Sequence, residues 1–163
     1  MLAEGLVDGG QVEEGDLLLR VDTADAETRR ALAAADVTDA KAERLEATRA
    51  LELSRDELLA AQDQLARRER WCVRQQDLVE RGVGTEAALE SAELAASTAR
   101  QSVLSRRQAI QQAEARVNTA SIRLERAELS LAEAERAVLD TEVFATFSGT
   151  LSEVSIVEGG IIS

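Results

Sequence analysis

Apolar residues recur every seven positions along two long stretches of this chain. In the first, 23–81, Val37, Leu51, Leu58, Leu65, Cys72 and Val79 share one heptad position, with Arg44 as the exception. Three residues further on stand Ala40, Ala47, Ser54 and Ala61, then Arg68 and Gln75. In the second stretch, 86–139, Leu89, Ala96, Val103, Ile110, Val117, Leu124, Leu131 and Val138 keep the spacing throughout. Their companions at +3 are Ala92, Ala99, Arg106, Ala113, Ala120, Ala127 and Ala134. A repeat sustained this long predicts two helices wound as a left-handed coiled coil. The alternation of a large residue with Ala predicts close backbone approach, the large side chain of one helix lying over the Ala of the other. Arg68 and Arg106, where Ala is the rule, are expected to bury their stems and send the guanidinium to water. On the outer faces, Glu46–Arg49, Glu52–Arg55, Asp63–Arg67 and Glu133–Arg136 have the spacing of helix-supporting pairs, worth about 0.2–0.5 kcal/mol each.

The break between the stretches is short. Gly82 and Gly84 stop the first helix, Val83 lies between them, Thr85 can cap the second helix, and Glu86 sits against its positive end. The reading is therefore helix 23–81, tip 82–85 and helix 86–139. A connection this short makes the helices antiparallel neighbours. Each arm is about 80–90 Å long at 1.5 Å per residue, and near-equal arms bring residues 22 and 140 side by side. Asp22 can cap the first helix, with Asp25 and Glu27 in its first turn. Outside the helices the pattern becomes strand and turn. Residues 1–22 carry Gly5, Gly9, Gly10 and Gly15 between apolar runs, and residues 140–163 carry Val143, Phe144, Phe147, Leu151, Val154, Ile156 and the turn Gly159-Gly160. Each piece alone is too small to bury a face, but joined at the hairpin base they can form one small sandwich.

Composition agrees with helices packed thinly. Of 163 residues, 45% are hydrophobic but only 2% aromatic, and there is no Pro to interrupt a helix. The net charge of −12 disfavours nucleic acid and bulk anionic membrane as partners. With no His and a single Cys, Cys72, the commonest general base and metal ligand is missing, and no internal disulfide or thiolate cluster can form. No apolar run approaches the ~20 residues of a membrane span. The N-terminus does not read as a signal peptide, so the expectation is either a cytosolic protein or part of a longer precursor.

This organisation resembles the periplasmic adaptor subunits, or membrane fusion proteins, of tripartite efflux pumps and secretion systems. There a lipoyl-like β domain is split by a coiled-coil hairpin. The first half ends in a Gly-Asp-led strand running into Asp, matched by Gly15-Asp16-Leu17-Leu18-Leu19-Arg20-Val21-Asp22. The second half opens with Thr, an apolar residue and Ala-Pro-Phe-Asp-Gly; here stand Thr141, Val143 and Ala145-Thr146-Phe147-Ser148-Gly149, with Thr146 for Pro and Ser148 for Asp. Adaptors that dock on a TolC-type channel carry Arg, Leu, Leu, Ser and an acidic residue across the tip. Arg74, Leu78, Thr85 and Glu90 match with Thr for Ser and Glu for Asp, and Gln75 stands in place of the first Leu.

The resemblance implies a mainly α chain, a long antiparallel two-helix coiled-coil hairpin inserted into a split lipoyl-like β-sandwich. It implies a periplasmic adaptor fragment linking an inner-membrane transporter, RND-type favoured and ABC-type possible, to a TolC-like outer-membrane channel. Arg74, Leu78, Gly82, Val83, Gly84, Thr85 and Glu90 are the candidate docking tip. Self-association into a ring, hexameric in the full assembly, and attachment of the full-length protein to the inner membrane come from the same resemblance. The adaptor β-barrel, membrane-proximal part and anchor have no counterpart in the sequence, so the chain is expected to be a fragment.

Other readings account for the same residues. Capping and solvated charge explain the tip, a solvated face explains Arg67, Arg68, Arg70, Arg74 and Arg81, and packing explains Cys72 and Trp71. The alternative function is a structural coiled-coil spacer or scaffold. An enzyme or lipoyl-carrier role is disfavoured: the only Lys, Lys41, falls inside the first helix, and no phosphate, metal or nucleophile motif is present. No cofactor is expected.

Overall fold

The computed structural model describes residues 10–152. Two long helices packed as a hairpin dominate them: α1, Ala24–Glu80, and α2, Glu86–Leu139. Four short strands flank the helices in sequence: β1, Gln11–Val12; β2, Leu17–Arg20; β3, Glu142–Phe144; and β4, Gly149–Thr150. No helix among the described residues is long and apolar enough to cross a membrane. The chain clusters into two units. One contains the chain up to Asp39 together with that from Leu124 onward, and the other is Ala40–Arg123.

In the first unit, β pairing joins the segment before the hairpin to the segment after it. β1 pairs antiparallel with β4, and β2 pairs antiparallel with β3. The register sets Leu17 against Phe144 and Leu19 against Val143, so Leu18 is the extra residue of a β-bulge. Gly15 at φ +94° completes the turn in which the Asp16 amide donates to the Glu13 carbonyl at 3.1 Å, a position a side chain would strain. Further bonds lace the two pieces. Ala145 exchanges amide bonds with the Gly15–Asp16 segment at 2.8–2.9 Å, and the Val21 amide donates to the Thr141 carbonyl at 2.8 Å. The Ser148 hydroxyl accepts from the Glu14 amide at 3.0 Å. Thr141 is buried, and its hydroxyl donates to the Val138 carbonyl at 2.6 Å, turning the end of α2 into β3. At the start of α1, the Asp22 carboxylate accepts from the Ala24 amide at 3.0 Å, one residue ahead of the capping position. The readings for Gly5, Gly9, Val154, Ile156 and Gly159-Gly160 lie outside the described residues.

The second unit is helix on helix. Ala40, Leu51 and Ala61 of α1, and Ala92, Ala96, Ala99, Val103, Ala113 and Ala120 of α2, are its buried apolar residues. All of them fall on the two seam positions. Leu58, Leu65, Cys72, Val79, Leu89, Ile110 and Val117 are half-buried on the same seam. Arg44, Arg68 and Arg106 break the rule and are exposed. Arg106 departs from its expected course: its guanidinium meets the Glu57 carboxylate of the other helix at 2.8 Å.

The expected pairs within each helix are not formed. None of Glu46–Arg49, Glu52–Arg55, Asp63–Arg67 and Glu133–Arg136 makes an ion pair. Bridges between the helices occur instead: Arg55 to Glu114 at 3.5 Å, Arg100 to Glu69 at 3.0 Å, and Arg123 to Glu43. In each of these three, the partners come after their own large seam residue by the same interval. Glu69 and Arg100 lie four after Leu65 and Ala96, Arg55 and Glu114 four after Leu51 and Ile110, and Glu43 and Arg123 six after Val37 and Val117. Such like-with-like pairing is what two antiparallel helices require of the positions flanking a seam. A pair within one helix gives only a few tenths of a kcal/mol in water, so the competing geometry is easily preferred.

The seam has no room for larger side chains. Ala92 is fully buried and Ala120 is 3% exposed. Ala92→Leu and Ala120→Leu should each cost about 1–3 kcal/mol by overpacking, read as a lowered midpoint in thermal or denaturant unfolding. Gln111→Leu and Glu125→Leu, on exposed positions, should change the midpoint little; equal effects in the two sets would refute the seam.

Candidate hairpin tip

Three groups of residues make the turn. Leu78 is in the last helical turn of α1, 38% exposed; Arg81-Gly82-Val83-Gly84 cross between the helices; Thr85 immediately precedes α2. Gly82 ends α1 in the left-handed conformation, φ +74°. Its amide donates to the Val79 carbonyl at 2.9 Å, and the Val83 amide to the Leu78 carbonyl at 3.0 Å. Those two bonds are the Schellman arrangement, which satisfies the orphan carbonyls of a helix end. The Gly84 amide also reaches the Leu78 carbonyl, at 2.9 Å. Arg81 is held back on α1 by Asp77, at 2.9 Å.

The two glycines are needed for different reasons. Gly82 has open space where a Cβ would point, but its backbone is left-handed. Gly84 has an ordinary φ, yet a Cβ there would come within 2.8 Å of the Val79 amide nitrogen and 2.9 Å of the Leu78 carbonyl carbon. Thr85 caps α2 as its position suggests, its hydroxyl accepting from the Ala88 amide at 3.3 Å.

This bonding fixes the backbone of the turn and leaves its apolar side chains outward. Val83 is 74% exposed. Arg74, two turns before the end of α1, and Glu90, in the second turn of α2, are both exposed. Of the candidate residues, Gly82, Gly84 and Thr85 therefore have structural work that explains them. Leu78, Val83, Arg74 and Glu90 have side chains that the hairpin leaves available. Further from the turn on α1, Cys72 is half-buried on the seam and Trp71 half-buried beside it. Among the described residues no group of three or more metal-ligating side chains comes together.

Sequence reasoning missed the close approach at Gly84 and the cross-helix bridges. A second Gly two residues after the first was visible, but its cause was not, since it depends on the path of the turn. Neither a protein-family model nor a curated protein sequence matches the chain. Solved structures do. MacA from Actinobacillus actinomycetemcomitans superposes with a TM-score of 0.65 over 100% of this chain and 41% of its own, at 16% identity. The periplasmic adaptor protein EmrA superposes with a TM-score of 0.50 over 98% of this chain and 64% of its own, at 14% identity. The fold is that of a periplasmic adaptor's hairpin. The chain spans less than two thirds of either structure, and at these identities the likeness is one of fold.

The turn itself makes a sharp test. Gly82→Asn should be tolerated, since Asn accepts the left-handed region, whereas Gly82→Ala should cost about 1–2 kcal/mol. At Gly84 both Ala and Asn should destabilise, by about 1–3 kcal/mol, because the obstruction there is steric. Denaturant unfolding of the four variants would expose an error in the turn if Gly84→Ala proved neutral.

Proposed function

We propose that this chain is the hairpin-bearing part of a periplasmic adaptor that links an inner-membrane transporter to a TolC-like outer-membrane channel, the tip docking on the channel. Val83 carries the reading: an apolar side chain held outward, 74% exposed, on a turn in which the amides of residues 81–84 all donate to carbonyls of α1. A rigid, exposed apolar anchor gains binding energy without a large ordering cost. Leu78 belongs to the same bonded turn, its carbonyl accepting the Val83 amide, and Arg74 and Glu90 supply charge around it. The likeness to the EmrA adaptor fold supports the class of protein.

In this mechanism the hairpin is a spacer and the tip an adhesive end. Strands β1 to β4, paired across the hairpin's two chain ends, belong to a lipoyl-like module that packs against its own copies. Six hairpins then form a sealed conduit in the periplasm, with the full-length protein attached to the inner membrane. An RND-type transporter is the favoured inner-membrane partner and an ABC-type transporter the alternative. A spacer or scaffold without transport would keep the seam and the paired strands but would have no use for the exposed tip.

Val83→Asp and Leu78→Asp in the full-length protein separate these functions. Exposed substitutions of this kind change stability by about 0.5 kcal/mol or less, while loss of a central contact in an interface costs about 2 kcal/mol or more. Helicity and abundance should stay near wild type, while export and channel crosslinking from residue 83 should be lost. Normal export by both variants would remove the tip from docking. Loss of export through unfolding would make these residues structural.

A further inference from the structure

A second set of apolar residues on α1 keeps the seven-residue spacing away from the seam. Leu59, Ala66 and Val73 each stand one residue after a seam residue, Leu58, Leu65 and Cys72. One residue is about 100° of helix rotation, so these three are turned off the seam. Leu59 is 62% exposed, Val73 is 65% exposed, and Ala66 is exposed as well. A shallow trough lined by Ala66, Glu69, Arg70, Val73 and Arg74 follows the tipward part of this stripe. Heptad-spaced apolar residues are what one helix presents to another lying along it.

Charge on the trough is one-sided. Glu69 is already engaged with Arg100 of α2 at 3.0 Å. Arg67, Arg70 and Arg74 stand at i, i+3 and i+7 and so share one face. Among the described residues none of the three makes an ion pair within the chain. Their guanidinium groups stay charged and match the fork geometry of carboxylates. The face therefore asks for an apolar ridge with acidic residues along one flank.

The hairpin offers no such complement at this height. The Glu69–Arg100 bridge sets Val73 level with the part of α2 from about residue 90 to residue 96, at 1.5 Å of rise per residue. There Glu93, four after Leu89, has the interval of the seam-flanking residues, which leaves Glu90 by itself. Glu86 sits at the positive end of α2. A copy alongside at equal height thus has no acidic row to present. An anionic glycan or lipid surface would use the arginines but would not follow the period of Leu59, Ala66 and Val73.

We infer that this face of α1 docks an amphipathic helix of a different protein. The apolar side of that helix lies on Leu59, Ala66 and Val73, and a row of Asp or Glu faces Arg67, Arg70 and Arg74. From Leu59 to Val73 the contact is about 21 Å long, or about four helical turns. Opposite charge on the flank fixes which partner is accepted and which way it lies. Arg74 is the only residue this face shares with the candidate docking tip, so the variants that test it use Arg67, Arg70 and Val73.

The test titrates full-length protein with two labelled synthetic helices of about five turns. Both carry one stripe of heptad-spaced Leu, flanked by Glu in the first and by Lys in the second. The Glu helix should bind and the Lys helix should not. Arg67→Glu combined with Arg70→Glu, and separately Val73→Asp, should each weaken binding of the Glu helix about tenfold or more, with helicity unchanged. The doubly reversed variant should instead bind the Lys helix. Equal binding of the two helices, preference for the Lys helix by the unaltered protein, or indifference to these substitutions would overturn the inference. In cells, a photo-crosslinker at residue 66 should capture a segment of another protein that mass spectrometry shows to carry acidic residues three or four apart. Capture of a second copy, of lipid or of glycan, or no capture, would overturn it too. Crosslinking from residue 83 reports on channel docking independently, so the two readings fail separately.

Discussion

Everything in this molecule depends on how closely two helices can approach along the Ala positions of one seam. Among the described residues, nine of the thirteen buried apolar residues are Ala, and no large side chain is fully buried. A globular core concentrates its stabilisation in a few large buried residues, whereas a seam distributes it. Most layers combine a small residue that permits approach with a larger residue at the other seam position, Ala96 and the exposed Arg44, Arg68 and Arg106 being the exceptions. Stabilisation then comes from many near contacts, each about 0.1–0.2 kcal/mol per atom pair at best separation. The absence of Pro and the scarcity of aromatics have the same geometric cause: one would break the approach and the other would hold the helices apart.

That constraint explains which parts of the fold were legible in the sequence. The seam repeats, so each residue on it is confirmed by its neighbours seven positions away, and the hairpin could be read from periodicity plus one Gly-bearing break. The paired strands were legible only as two apolar pieces brought together by equal arms. Their register was not, because a bulge at Leu18 depends on how Leu17 and Leu19 meet their partners. Ser148 illustrates the limit. As a sequence position it looked like a departure from the adaptor pattern, where Asp is usual, yet its hydroxyl accepts the Glu14 amide bond across the two pieces. An acceptor was needed there, and more than one residue type supplies it.

Ion pairs were the least legible feature. Arg55 has Glu52 three residues before it in its own helix, but it reaches Glu114 in the other. Local spacing offers several partners of nearly equal worth, and only the register chooses among them. The tip lies between these extremes. Gly82, Gly84 and Thr85 announced a turn, and the bonds to Leu78 and Val79 show why those residues serve it. Val83 stands out only by its exposure, because nothing within the chain packs against it.

Two populations of charge emerge from this arrangement, and they have different freedom to change. The Glu and Arg that flank the seam set the register; altering one also alters the pairing opportunities of the opposite helix. Arg67, Arg70 and Arg74, on the outer face of α1, make no ion pair among the described residues, so folding places little restriction on them. Glu86 has a structural reason, at the positive end of α2, and Glu93, four after Leu89, has the interval of the seam-flanking residues, whereas Arg67, Arg70 and Arg74 gather on one exposed face of α1 with neither reason. Within a single helix, like charges at these spacings repel by a few tenths of a kcal/mol per pair. That small, repeated cost is tolerated on α1, while a mixed arrangement would avoid it.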